Sequence, residues 1–191
     1  MHEDKNKQFT HLKIHTQYSI CEGALRTPDL AKYCKDNKIR SIGLCDSGNL
    51  CGALEFSELI AKSKTQPIIG TQINIQYKDH IGKIPLFAKD LEGYKNLIKL
   101  SSRSFLEIKD DETPHCKIED IEANSKGLIL LSGSFDGLIG KLFFKNLTDE
   151  IVVLFKRFRK IFNDNFYIEI QRHNDDGEKL FEKFLINTLI N

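Results

Sequence analysis

Residues 39–77 read IRSIGLCDSGNLCGALEFSELIAKSKTQPIIGTQINIQY, and the succession of patterns along them decides the fold class. IRSIGLC (39–45) is a short β-rich apolar run that ends in the turn-forming DSGN at 46–49. Over 49–64 apolar residues recur at helical spacing, with Leu50, Leu54, Leu59 and Ile60. PIIGTQINIQY (67–77) is again a strand, and its second half alternates strictly. Strand, helix and strand in succession predict an α/β layer or barrel with a mainly parallel sheet.

The same alternation extends in both directions. FTHLKIHT (9–16) reads as a first strand, with His11, Lys13 and His15 on one face and Leu12 and Ile14 on the other. Two histidines sharing a polar face suit a divalent metal, but an ammonium between them repels one. RTPDLAKYCKDN (26–37) predicts a helix with Thr27 as N-cap and Pro28 at the first helical position. Downstream, KDHIGK (78–83) reads as a turn leading back into IPLFAK (84–89), a hairpin, and LEGYKNLIKLSSRSFLE (91–107) as a helix. KDDETPHCKIED (109–120), with Pro114, reads as a polar loop, and GLILLSGS (127–134) as a buried strand. SFDGLIGKLFFKN (134–146) and TDEIVVLFKRFRKIFN (148–163) predict two helices, the second capped by Thr148; NFYIEIQR (165–172) a strand; and GEKLFEKFLINTLIN (177–191) a last amphipathic helix. The pattern stops on a helix where one more strand is due, the expectation for a fragment.

Composition narrows the function classes. Apolar residues make up 40% and charged residues 29% of 191, an ordinary globular profile with room for one sizeable core. A formal net charge of +1 gives no global attraction to nucleic acid or an anionic membrane. Cys21, Cys34, Cys45, Cys51 and Cys116 form no CxxC pair and read as reduced, mostly buried thiols. The polar start, MHEDKNKQ, is unlike a leader, and no apolar run spans a bilayer, so a cytoplasmic location without membrane contact is expected.

In parallel α/β folds chemistry sits at the carboxyl ends of strands. Here those ends carry His15-Thr16, Asp46-Ser47-Gly48-Asn49 and Ser132-Gly133-Ser134, with Gln72 just past Gly70. Each has a plainer structural reading. Asp46 reads as a cap of the helix that follows, His80 and His115 as solvated turn and loop residues, and KRFRK (156–160) as a solvated helix face; His173, directly after a strand, is the better histidine candidate. The residues alone define a soluble α/β domain with a polar rim.

Taken in order, FTHLKIHTQYSICEGALRTPDLAKYC, IRSIGLCDSGNLCGALEF, QPIIGTQINIQY, PLFAKDLEGYKNLIKLSSRSFLE, GLILLSGSFDGLIG and FYIEIQRH resemble the N-terminal PHP domain (polymerase and histidinol phosphatase) of bacterial DNA polymerase III α subunits. The resemblance implies a polar tail at 1–8 and, over 9–191, a distorted seven-stranded β/α barrel that lacks its last strand here. It also implies that the polymerase palm, fingers and thumb, with their Mg2+, belong to sequence that is absent. Metal-binding members of the family hold two or three divalent ions. At the positions matching their ligands this chain has Lys13 and His15 for a histidine pair, Glu22 for an aspartate, Ser47 for a histidine, Gln72 for a glutamate, Lys83 for a histidine and Ser134 for a cysteine. Only His15 and Glu22 keep ligand character, and Lys13 is expected to pair with Glu22 instead of a metal.

The implied function is therefore a PHP domain with a vestigial metal site, no catalytic residues and no cofactor of its own. Its expected roles are to support the rest of the α subunit and to dock the proofreading exonuclease subunit, with DNA held by the absent domains. The rival is a metal-dependent phosphoesterase or 3′→5′ exonuclease working by metal-activated water, with His80, His173 or an acidic residue replacing the lost ligands.

Overall fold

A computed structural model describes residues 9–109 and 111–190, so the polar tail read at 1–8 lies outside the described residues. The chain packs as two compact units, Met1–Thr71 and Gln72–Asn191.

The first unit holds α1 (Thr27–Asp36), β1 (Ser41–Ser47), α2 (Ala53–Lys62) and the opening of β2 (Gln66–Tyr77). From Ile42 to Asp46 every residue of β1 is buried, which is why its sequence shows an unbroken apolar run and no alternation. Leu30, Ala31 and Cys34 of α1 are buried, as are Ala53, Phe56 and Ile60 of α2, and the Ser63 hydroxyl at the end of α2 donates to the Ala31 carbonyl at 2.9 Å.

Three expectations change here. The inward stripe of α2 is Ala53, Phe56 and Ile60, while Leu54 is 70% exposed, because positions 53, 56 and 60 share one helix face and 54 is turned about 100° from 53. Thr27 does not cap α1: Arg26 holds the cap position without a side-chain bond, and the buried Thr27 hydroxyl has no hydrogen-bond partner among the described residues. Residues 9–16 do not form a regular strand. They run beside β1 through a parallel bridge at Ile14–Leu44, with Gly43 N donating to His11 O (2.7 Å) and Cys45 N to Ile14 O (2.8 Å). Three steps on one side thus answer two on the other, a bulge that destroys the two-residue alternation. Lys13, Ile14 and His15 are all half-buried as a result. Gly43 makes this approach possible, since a Cβ there would sit 2.3 Å from the Leu12 carbonyl oxygen.

The second unit contains the rest of β2, β3 (His80–Ala88), α3 (Leu91–Leu106), β4 (Cys116–Lys117), α4 (Ile118–Ala123), β5 (Leu128–Leu131), α5 (Leu138–Phe144), α6 (Thr148–Phe162), β6 (Phe166–Tyr167) and α7 (Glu178–Ile190). Strand order is β1-β2-β3-β5-β6, with β4 also on β2. The hairpin between β2 and β3 turns on Lys78-Asp79, with Lys78 at φ +53°. Because that turn reverses the chain, β3 meets β5 antiparallel, Leu86 opposite Leu130, while β2–β4 and β5–β6 are parallel. The sheet is mixed rather than mainly parallel.

Asp90 caps α3 by accepting from Gly93 N at 2.9 Å. A Cβ on Gly93 would fall 1.9 Å from the Gly127 carbonyl oxygen, so the helix start and the entry to β5 touch backbone to backbone. The segment read as a polar loop, 109–120, contains β4 and the start of α4; Cys116, Ile118 and Ile121 are buried, and Lys117 N donates to Asp120 at 2.8 Å to begin the helix. His115, expected to be solvated, is buried, with Nδ1 2.8 Å from the Thr113 carbonyl oxygen. Thr148 begins α6 without capping it. Only Phe166 and Tyr167 of the expected strand at 165–172 join the ladder; past them, Glu169 N donates to the Ser132 hydroxyl (2.9 Å) because β5 turns away at Gly133, φ +84°. Among the described residues no helix is long and apolar enough to cross a membrane.

Candidate functional site

In the first unit the polar residues converge on Asp46, near the end of β1 and fully buried. Its carboxylate accepts from the Thr16 amide (2.6 Å), the Thr16 hydroxyl (2.8 Å) and the Ser19 hydroxyl (2.6 Å). This corrects the reading of Asp46 as a helix cap. The loop from Thr16 to Leu25 is closed by Gln17 N donating to Leu25 O at 2.9 Å, and it lies on Asp46 as a compact unit. Its closure requires Gly23, where a Cβ would lie 1.9 Å from the Thr16 carbonyl oxygen.

Three of the positions singled out from the sequence meet through this loop. Ser47 N donates to the Ser19 oxygen (3.1 Å), His15 Nδ1 stands 3.3 Å from the same oxygen, and the Ser47 hydroxyl donates to Glu22 at 2.5 Å. Lys13 lies on the bulged segment two residues before His15. Ser19, His15 and Asp46 are the residue types of a hydrolytic triad, yet the order of their bonds is wrong for one. The Ser19 proton points to Asp46, so His15 is not placed to take it, and the hydroxyl serves as a strut.

The turn after β1 is held from the other side. Asn49 donates to Tyr18 O and Ser47 O at 3.0 Å each and accepts from Cys51 N at 3.0 Å. Tyr18 lies over Gly52, where a Cβ would meet its ring at 2.5 Å, and its hydroxyl donates to Glu55 at 2.9 Å. That hydrogen bond to a carboxylate raises the Tyr18 phenol above its ordinary pKa. Asn49 and Gly52 of the NLCG stretch are thus fitted to the Tyr18 loop.

In the second unit Gln72 is buried on β2 and Lys83 is half-buried on β3. The Lys83 carbonyl oxygen lies 2.8 Å from where a Gly137 Cβ would be and 3.2 Å from that of Gly133, so the loop carrying Ser134 closes on this part of β3. The buried Ser134 hydroxyl donates to Asp136. Glu169, one of whose carboxylate oxygens is buried, accepts from the Gln171 side chain. His80 opens β3 at the surface, 3.2 Å from the Lys145 ammonium.

His173 does sit in a cluster. Its ligand atoms and those of Asp175 and Glu178 lie within 4.8 Å of one another. Glu178, however, already accepts from His173 N at two distances, 3.0 and 2.8 Å, and from Asn174 N at 2.9 Å. It fastens the turn that begins α7. In KRFRK, Arg157 is not a solvated cation, since it donates to Glu122 at 2.6 and 2.8 Å and to Glu119 at 2.9 Å. None of the five cysteines is in a disulfide; Cys34, Cys45 and Cys116 are buried, and burial pushes the Cys116 thiol up to about 12.

Sequence reasoning did not find Ser19, Asp136 or Glu169, and it assigned Asp46 the wrong partner. Glu169 left one signal, a carboxylate inside an alternating apolar run. Nothing local marked Ser19.

An α/β fold with hydroxyls, amides and carboxylates gathered at its strand ends is the class this geometry defines. The chain belongs to the PHP domain family, whose model matches residues 11–173. It is homologous to a region of DNA polymerase III subunit alpha: 38% identical over 176 residues to that protein of Rickettsia bellii, covering 92% of this chain and 15% of the relative. The Caulobacter vibrioides protein of the same name is 32% identical over 195 residues, 98% of this chain and 17% of its own length. The chain therefore spans less than a fifth of the length of these curated relatives. Among solved structures, an amidohydrolase from Chromobacterium violaceum aligns over 50% of this chain and 32% of its own at 17% identity and a TM-score of 0.42, a likeness that carries no argument.

Proposed function

We propose that this chain is the PHP region of a DNA polymerase III α subunit in which the metal site has become structural, and that it serves replication as a scaffold rather than a phosphoesterase. The observation that carries the reading is the hydrogen bond from the Ser47 hydroxyl to Glu22, which engages the one acidic position of the expected ligand set. The other positions, Lys13, Ser47, Gln72, Lys83 and Ser134, offer two ammonium groups, two hydroxyls and an amide in addition to the imidazole of His15. That donor set does not fit a cluster of divalent ions, which needs anionic or neutral lone-pair ligands to offset its charge. An ammonium close to such an ion adds a repulsion of several kcal/mol or more, about 4 kcal/mol per unit charge at 4 Å and an effective dielectric of 20. In this reading Lys13 takes over part of the vacated space and pairs with Glu22.

The barrel is completed, in this reading, by a seventh strand and followed by the polymerase palm, fingers and thumb, which bind DNA and Mg2+. The domain braces those parts and docks the separate proofreading exonuclease, so its own hydrolysis is dispensable. The setting is the bacterial cytoplasm.

A second reading, metal-dependent phosphoester hydrolysis, draws on the His173, Asp175 and Glu178 cluster. Mass spectrometry of the purified chain, loaded with zinc and manganese and then desalted, separates the two. No stoichiometric metal is expected to remain. Retained metal that His15→Ala removes would overturn the structural reading, whereas metal removed by His173→Ala would support the rebuilt site and call for a nuclease assay.

A further inference from the structure

The outer face of α3 is apolar where a surface helix ordinarily turns polar residues to water. Its inward residues, Gly93, Asn96, Leu97, Leu100 and Ser104, are buried. On the opposite side Leu91, Ile98 and Phe105 recur every seven residues and are 68%, 43% and 53% exposed. Seven residues carry a helix through almost two whole turns, so the three side chains form one nearly straight seam, roughly 21 Å long at 1.5 Å per residue. Half-buried Tyr94 lies beside it in the intermediate position that a heptad would use. This is the spacing by which one helix receives another.

The border of the seam selects the occupant. Lys95 and Lys99 run along one side of it, both exposed and neither in an ion pair among the described residues; Glu92, on the same side, is held by Lys126 at 3.0 Å. A second copy paired antiparallel through this face would set Lys95 and Lys99 against their own mates, which is unfavourable. A helix carrying carboxylates along its border meets them with opposite charge.

We propose that the Leu91–Ile98–Phe105 face of α3 docks an amphipathic helix of a partner protein whose apolar stripe is bordered by aspartate or glutamate. The site is separate from the polar strand ends and does not depend on the state of the metal positions.

The test uses the full 191-residue chain and a fluorescent three-heptad synthetic peptide with leucine at a and d and glutamate at e and g. Its twin carries lysine at e and g, and in both the like charges oppose self-association. Fluorescence anisotropy should show the glutamate peptide binding at least about tenfold more tightly than the twin, a preference that salt weakens. Ile98→Asp should abolish binding while leaving circular dichroism and thermal midpoint unchanged, because the site is exposed. The pair Lys95→Glu and Lys99→Glu should reverse the preference between peptides. Equal binding of both peptides, or no binding of the glutamate peptide, would overturn the proposal. So would a concentration-dependent dimer in sedimentation that Ile98→Asp dissolves, which would assign the face to a second copy.

Discussion

Asp46 in the first unit and Arg157 in the second each tie together parts of the chain some thirty residues apart, by opposite means. Asp46 is a fully buried carboxylate satisfied by one amide and two hydroxyls, all neutral. Arg157 is about a third exposed and is satisfied by two carboxylates, Glu122 and Glu119. Formal charge would rank the second as the stronger tie. Burial ranks them the other way, because solvent replaces much of what Arg157 loses when its partners go, and nothing replaces what Thr16 and Ser19 lose.

The largest expected effect follows from that ranking. Asp46→Ala leaves three buried donors without an acceptor and should lower stability by roughly 3–5 kcal/mol, read as a shift in the urea midpoint at neutral pH. Asp46→Asn, which keeps the shape but turns an NH2 toward one of the donors, should recover only part of the loss. A cost for Asp46→Ala below that of removing Arg157 would invert the comparison.

What could be read from the sequence divides along the same line. The order of strands and helices, the α2 and α3 helices, the hairpin and the buried β5 all follow from local patterning, and the family follows from motifs in series. The bulge at residues 11–14 could not be read, because it depends on Gly43 admitting the Leu12 backbone from a segment thirty residues away. The hairpin was read, but not that it turns on Lys78-Asp79 so that β3 starts at His80, nor that β3 then meets β5 antiparallel and makes the sheet mixed. At the site, sequence picked out His15, Glu22 and Ser47, and the structure joins them through Ser19. Ser19 itself is invisible in sequence since a serine in a polar loop carries no signal of what lies above it.

Arg157→Met sharpens the comparison at intermediate size. Its two carboxylate partners are bonded at the surface, so the expected cost near pH 7 is about 1 kcal/mol. The pH dependence identifies its origin. Hydrogen bonds from Arg157 hold Glu122 and Glu119 below the usual carboxylate range. Carboxyls depressed in the folded state contribute stability that is present above their unfolded pKa, about 4.3, and is lost as pH falls through the folded value. Wild type and Arg157→Met should therefore differ most above about pH 5 and converge in acid. A gap that stays constant from neutral pH downward would point to packing of the Arg157 stem instead.

The smallest effect probes burial with no charge at all. Thr27 is fully buried at the start of α1, and its hydroxyl has no hydrogen-bond partner among the described residues. A dry, unpaired hydroxyl costs free energy in the folded state that a methyl in its place would not, so Thr27→Val should be neutral or stabilising by up to about 1 kcal/mol. Thr27→Ser retains the hydroxyl and removes a buried methyl, and should be destabilising by about 1 kcal/mol. One variant removes the hydroxyl at nearly constant volume and the other removes the methyl, so their order in paired urea denaturation is informative even where the shifts are slight. If Thr27→Val is the worse of the two, the hydroxyl is bonded in solution, to water in the simplest case, and it joins Thr16 and Ser19 as a neutral group whose burial is matched by a partner. If Val is the better, α1 begins on a polar group whose burial is uncompensated, held in place by the packing of Leu30, Ala31 and Cys34 behind it.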